Sequence, residues 1–270
     1  MPLVIQKLKL VILYTLNVNM SNKNIDLTIV LATLNEIENL PKLAGRIDSI
    51  LNKRKIKYQL LFVDDNSIDG TRDFIIDYCK KNPLSKYIFS DHKQSTLIAN
   101  YRGTKAADGK YIIIMDSDLQ HPPEYITNIY DTLLKNYDIV ITSRYLKNGG
   151  TGNRKPIRGI ISRGASFLAR MLLSTSRNIS DPVSGYIGFR NGLELHINDK
   201  WKGFEIGIFL RASNPHAKIK EIPYVFKERQ GGQSKVTSDI GFIQIYVKEL
   251  LLAKKVESSK YNQKNNTRII

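Results

Sequence analysis

Residues 111–125 read YIIIMDSDLQHPPEY, and the way this stretch ends decides the fold. Ile112, Ile113, Ile114 and Met115 form an unbroken apolar run, as a strand buried on both faces requires. The run stops at Asp116 and Asp118, and alternate residues of a strand share a face, so the two carboxylates face the same way and repel. A cation near both would relieve that repulsion. Pro122 and Pro123, followed by Glu124, then open a helix at its first turn, where a missing N–H costs little.

Working outward, strand-like runs alternate with helix-like periodic ones, which predicts a mostly parallel sheet flanked by helices. Strands are expected in residues 25–36 (ending at Asn35), 58–67, 86–91, 110–118, 138–145, 184–191 and 218–229. Helices are expected in 37–53, with Leu40, Leu43, Ile47, Ile50 and Leu51 on the apolar side, and in 69–82, 96–109, 157–176, 201–213 and 240–255. Residues 262–270, NQKNNTRII, read as a polar tail. In open α/β sheets, ligands gather at the carboxyl ends of the strands. Asp64 and Asp65 would share that rim with Asp116 and Asp118. Acids in this position also serve as ordinary turn formers, so DDNSIDG (64–70) carries both readings.

The oxygen donors Asp116, Asp118 and Gln120 suit a hard divalent ion, Mg²⁺ or Mn²⁺, that keeps some waters and grips a diphosphate. His121 precedes a proline and reads as a loop residue.

The 270 residues carry 41 Lys+Arg against 25 Asp+Glu, a net charge of +16, so anionic partners of several kinds are open: nucleic acid, a membrane surface or phosphorylated small molecules. No aromatic-basic repeat or recognition motif favours nucleic acid. The single cysteine, Cys79, excludes an internal disulfide framework and suits a reducing compartment. Residues 1–19 read as an extension or a mis-start ahead of Met20. Their apolar run is shorter than the ~20 residues a membrane span needs. Residues 20–240 read as the catalytic domain, and 241–270 as an amphipathic helix and tail.

Six segments occur in the order and spacing of one family: LATLNEIENL (31–40), FVDDNSIDGT (62–71), MDSDLQHPPE (115–124), TSRY (142–145), DPVSGYIGFR (181–190) and EIPYVFKERQGGQSKV (221–236). Over roughly residues 25 to 240 the chain resembles the polyprenyl-phosphate sugar synthases of glycosyltransferase family 2, dolichyl-phosphate mannose synthase among them. The resemblance implies the GT-A fold, a Rossmann-like single catalytic domain. It also implies inverting transfer of a sugar from a nucleotide-sugar donor to a polyprenyl (dolichyl) phosphate. GDP-mannose is the expected donor, with UDP-glucose or another UDP-sugar as the alternative.

Carried over by position, Thr33, Asn35 and Glu36 would line the nucleoside pocket, with Asp65 on the base or ribose. Asp116, Asp118 and Gln120 would hold the metal on the diphosphate. Arg144, Arg158 and Ser162 would grip the acceptor phosphate, because guanidinium forks match its oxygens. Arg229 would reach the diphosphate from a closing loop, helped by Lys235. Asp118, Arg144 and Arg229 are the expected catalytic groups. Thr33 and Leu34 stand where the family often has proline and tyrosine, and HKQSTLIAN (92–100) replaces a glycine-rich element, so the base is less defined than the reaction.

A membrane-held acceptor implies a peripheral protein on the cytoplasmic face, docked through the amphipathic helices in 157–176 and 240–255 or through a separate membrane-anchoring subunit. Two rivals remain open to the sequence. One is a haloacid-dehalogenase-type phosphatase built on IIIMDSDL; the other is a basic nucleic-acid-binding module.

Overall fold

The computed structural model describes residues 24–152, 156–198, 200–228 and 240–267. Seven strands form one sheet in the order β3-β2-β1-β4-β6-β5-β7. They are β1 (Leu27–Thr33), β2 (Tyr58–Asp64), β3 (Lys86–Phe89), β4 (Tyr111–Asp116), β5 (Ile139–Ser143), β6 (Ile187–Arg190) and β7 (Ile219–Pro223). All pairings are parallel except those of β6, which runs against both β4 and β5. The GT-A architecture expected from the sequence is present, with this one reversal inside it.

Helices cover both faces, as near-continuous apolar strands demand. On one face α1 (Leu40–Lys53), α2 (Thr71–Lys81) and α4 (Tyr125–Leu133) bury Leu43, Ile47, Ile75 and Ile129 in one cluster with Ile29, Phe62 and Ile113 of the sheet. On the other, α3 (Thr96–Ala106), α5 (Pro156–Leu172), α6 (Ile206–Ser213) and α7 (Ile240–Thr267) bury Leu97, Ala169, Phe209 and Leu250 in a second cluster with Val30, Val63 and Ile114. Two glycines permit the closest approaches. A Cβ at Gly103 of α3 would lie 2.3 Å from Val30 Cγ1, and one at Gly188 of β6 would lie 2.2 Å from Ile129 Cγ2.

Two elements differ from expectation. Residues 201–205 are not helical: α6 starts only at Ile206, because the preceding backbone N–H groups of Phe204 and Glu205 are taken by Glu249 Oε1 at 3.0 and 2.7 Å. The polar residues after 261 do not leave the helix, since α7 continues to Thr267. Residues 1–19, Arg229 and Lys235 lie outside the described residues, as does the side chain of Arg158 in α5.

Candidate active site

The rim at the carboxyl ends of β1, β2, β4 and β5 also receives the start of β6, because that strand runs the other way. Three groups of residues meet there.

The first group ties β1 to β2. Thr33 Oγ1 donates to Asp64 Oδ2 at 3.3 Å, and Asp64 is fully buried. The other partners of Asp64 are Ser67, through both N–H and hydroxyl, and Arg72 Nε at 2.6 Å. Asp64 is therefore the turn former. Asp65 turns elsewhere: its Oδ1 accepts the Gln94 N–H at 2.7 Å, which fastens the loop before α3. Burial raises its pKa above the ordinary carboxylate value, with the Gln94 hydrogen bond opposing. Asn35 has φ 51°, a conformation that asparagine tolerates better than most residues. Its N–H donates to Ser67 Oγ at 2.8 Å, and its Oδ1 accepts the Ile68 N–H at 2.9 Å. Glu36 donates its N–H to Thr71 Oγ1 and accepts from Asn39 Nδ2, each at 2.9 Å. Thr33, Asn35 and Glu36 thus shape this part of the rim through the loops they lock together.

The second group is the turn after β4. Asp116 is 48% exposed at its side chain, whereas Asp118 is buried and its Oδ1 accepts the Gln120 N–H at 3.1 Å. Between them Ser117 Oγ donates to the Ala32 carbonyl at 2.8 Å, pinning the turn to β1. Leu119 is buried at φ 65°, a left-handed conformation that is costly for a branched side chain and persists only where packing imposes it. Gln120 binds Lys227 from both ends: its carbonyl accepts the Lys227 N–H at 3.0 Å, and its Nε2 lies 3.4 Å from the Lys227 carbonyl.

His121 is more than the loop residue expected from the sequence. Its Nδ1 accepts the Asp116 N–H at 3.0 Å, so that nitrogen carries no proton. The buried ring stacks on Tyr186 with centroids 5.0 Å apart and meets the edges of Tyr224 and Phe226. Tyr186 in turn donates to the Pro122 carbonyl at 3.1 Å. Through His121 this aromatic cage anchors the backbone at Asp116, where the turn begins. Among the described residues no three of His, Cys, Asp and Glu converge as a ready metal cage. An all-oxygen set of two carboxylates and an amide fits an ion that draws its remaining ligands from water and a diphosphate.

The third group lies at the end of β5. Arg144 is 7% exposed and forms a fork on fully buried Asp181, with Nε–Oδ2 and Nη2–Oδ1 both 2.7 Å, while its backbone N–H reaches Oδ2 at 3.1 Å. Although burial lowers the guanidinium pKa, the Asp181 hydrogen bonds and charge outweigh that and raise it. Its Nη1 has no hydrogen-bond partner among the described residues. Ser162 of α5 accepts from Tyr145 OH at 3.0 Å, which brings that helix to the same edge. The segment carrying Asp181 is held from behind, where Glu221 accepts from the N–H and hydroxyl of Ser180.

The expected residues Thr33, Asp65, Asp116, Asp118, Gln120, Arg144 and Ser162 all line this one rim. Asp181, His121, Tyr186 and Tyr224 are contributors beyond the expected set. Asp181 and Tyr186 lie inside the DPVSGY segment, whose order in the chain is the available signal.

The strand-end acids and the buried arginine fork lie on the rim where open α/β sheets bind their ligands, and the model of "Glycosyl transferase family 2" matches residues 28–195. The chain belongs to that family. Its relatives include a dolichol-phosphate mannosyltransferase from Pyrococcus furiosus, 35% identical over 77% of this chain and 58% of the relative's length. Another is the dolichol-phosphate mannosyltransferase of Saccharomyces cerevisiae, 28% identical over 80% of this chain and 83% of that protein. The chain thus spans less than two thirds of the Pyrococcus protein. Among solved structures, glucosyl-3-phosphoglycerate synthase from Mycobacterium tuberculosis with Mn²⁺, UDP and its product superposes with a TM-score of 0.61 at 17% identity, over 85% of this chain and 79% of that one. That likeness shows the GT-A fold of this family 2 glycosyltransferase. Membership in the family sets aside the phosphatase reading of the Asp-x-Asp.

Proposed function

We propose that this family 2 enzyme moves a sugar from a nucleotide-sugar, GDP-mannose first among candidates, onto a polyprenyl phosphate with inversion at the anomeric carbon. The observation that carries the reading is the pairing of two phosphate-suited halves on the strand ends that flank β6: the Asp116–Asp118 turn after β4 and the Arg144–Asp181 fork after β5. The names of the relatives, which include mannosyltransferases of dolichol phosphate and undecaprenyl phosphate, support the same acceptor class.

The chemistry asks little of a general base. A phosphate monoester is already ionised near neutral pH, so its oxygen is nucleophilic as it stands. The protein's task is to hold two anions in line against their repulsion. Arg144 does so from a fixed position: Asp181 occupies Nε and Nη2, which orients the fork and leaves Nη1 for the acceptor's phosphate. Ser162 and Arg158 would complete that grip from α5, and Arg229 with Lys235 would approach the donor diphosphate. Asp116, Asp118 and Gln120 would hold a divalent ion, Mg²⁺ or Mn²⁺. When bound, it would neutralise charge building on the leaving diphosphate.

Delivery of a lipid acceptor requires contact with a membrane surface. No helix among the described residues is long and apolar enough to cross one. Instead α5 exposes Ile160, Phe167 and Met171, and α7 exposes Ile243, Val247 and Leu251, each set at one-face spacing. The two helices touch, with Tyr246 OH donating to the Ala165 carbonyl at 2.9 Å. Exposed Arg163, Lys248 and Lys255 flank the stripes, as suits an anionic leaflet. The protein would then lie peripherally on the cytoplasmic face, alone or with an anchoring subunit.

The test is a panel of GDP- and UDP-sugars incubated with polyprenyl phosphate, detergent and Mg²⁺ or Mn²⁺, followed by extraction of lipid-linked sugar. Metal-dependent product from GDP-mannose is expected, and Asp118→Ala abolishes it. Product from UDP-glucose alone moves the assignment to the alternative donor. No lipid-linked product from any donor refutes the reading.

A further inference from the structure

None of the residues assigned to the cleft lines a cavity of about 300 Å³ that lies between the loop after β6 and the second half of α7. Its apolar lining is Leu252 and Val256 of α7 with Trp201 of the loop, all packed on the second core cluster. Trp201 is braced from behind by Phe209 of α6, with ring centroids 5.2 Å apart. The rest of the lining is polar and mostly basic. Lys260 of α7 forms an ion pair with Glu194 of the loop, and Glu194 Oε2 also lies 3.6 Å from His196 Nδ1, so loop and helix are tied together at that end. Three lining groups are left over: the Trp201 indole N–H, the Lys255 ammonium and the Ser259 hydroxyl make no hydrogen bond or ion pair among the described residues. An indole N–H and an ammonium can only donate, so the cavity suits an anion rich in acceptors. Its apolar floor suits an amphiphile.

We propose that this cavity binds the headgroup phosphate of an anionic glycerophospholipid and thereby fixes how α7 sits on the leaflet. The inference rests on the reading of the exposed α7 stripe as a membrane face. Lys255 stands one helical turn beyond Leu251 and so continues the stripe of Ile243, Val247 and Leu251. The cavity therefore adjoins that face, and a headgroup can enter it while its acyl chains stay with the stripe. A tryptophan with one apolar side and one polar N–H is suited to the same depth, where hydrocarbon gives way to headgroups. Exposed lysines alone attract an anionic leaflet diffusely, whereas a cavity with Trp201, Lys255 and Ser259 on its walls holds one lipid in one place.

Trp201 is the sole tryptophan of the chain, so its fluorescence reports on the cavity directly. The full chain is titrated with dihexanoyl phosphatidylglycerol and dihexanoyl phosphatidylcholine, both below the concentration at which they form micelles, and with glycerol 3-phosphate. Phosphatidylglycerol is expected to change the Trp201 emission saturably and to bind several-fold tighter than either of the others. Lys255 is exposed, so Lys255→Gln should leave the melting temperature unchanged while weakening phosphatidylglycerol binding about 10-fold. Equal binding of phosphatidylcholine shows apolar adsorption and overturns the proposal, and equal binding of glycerol 3-phosphate overturns the lipid as the source of the phosphate. No saturable change, or one that Lys255→Gln leaves as it was, overturns it too. Flotation with anionic vesicles reads the membrane face separately. Flotation without saturable binding overturns the cavity alone, whereas saturable binding without flotation overturns the membrane face and with it the seating of α7.

Discussion

Replacing Asp181 by alanine should be among the most damaging single changes away from the apolar core. The side chain is fully buried and accepts three hydrogen bonds from Arg144: at 3.1 Å from the backbone N–H, and at 2.7 Å from each of Nε and Nη2. Truncation leaves a guanidinium that is 7% exposed with its charge uncompensated and two of its donors idle. Breaking a buried pair by removing one partner costs roughly 3–5 kcal/mol, whereas removing both charges costs far less. Urea unfolding at neutral pH measures this directly. Asp181→Ala should lower stability by about 3–5 kcal/mol, and adding Arg144→Met to that variant should restore about 1–3 kcal/mol of it. A loss below about 1 kcal/mol for Asp181→Ala would show that water reaches the guanidinium. A double variant that is worse than the single one would equally refute the argument.

Three further outcomes follow from other parts of the molecule. Leu119 combines burial with φ 65°, so Leu119→Ala loses its packing and keeps the strain, whereas Leu119→Gly relieves the strain; glycine should be the better replacement by about 1 kcal/mol in the same unfolding assay. Burial raises the Glu249 pKa from the usual 4.5 to about 7 despite hydrogen bonds from Glu205 and Phe204 N–H. The folded state therefore holds a proton that the unfolded chain releases, and stability should fall as pH rises from 4.5 through about 7. Glu249→Gln, which still accepts those hydrogen bonds, should match wild type near pH ~4 and exceed it at pH ~8 by roughly 1–3 kcal/mol in thermal melts. Finally, Phe167→Asp and Leu251→Asp sit on exposed faces and should leave the melting temperature nearly unchanged while weakening flotation with anionic vesicles at least severalfold.

The sheet was legible because strands buried on both faces must be apolar throughout, and the interiors of β1, β2, β4 and β5 nearly are. The direction of β6 was not. The run SGYIGFRN has the composition of a strand but nothing in it says which way the chain travels, since reversal depends on the helices and loops that precede it. The start of α6 was obscured for a related reason: the acceptor for the backbone ahead of it is Glu249, 44 positions away from Glu205. In the site, Asp116 and Asp118 announced themselves by an electrostatic oddity that only a strand end explains. Asp181 and His121 carried no such mark. Each is decided by a partner distant in sequence or by a ring cage assembled from the chain beside β4, β6 and β7, and single-residue preferences contain no such information.

The backward run of β6 also partitions the cleft along the chain. Residues from Thr33 to Gln120 build one wall, and the wall around Arg144 draws on residues 139–226. An antiparallel strand delivers its beginning, rather than its end, to the rim, so Ser184 and Tyr186 meet Thr142 without a further crossover. On the proposed reading, donor recognition draws mainly on the first stretch and acceptor recognition on the second. The second also braces the Asp116 turn through Tyr186, Tyr224 and Phe226, and the residues that follow it would supply Arg229 and Lys235 to the donor. A recombinant that exchanges the second stretch between relatives would graft one enzyme's acceptor wall onto another's donor wall while keeping β1 to β4 intact.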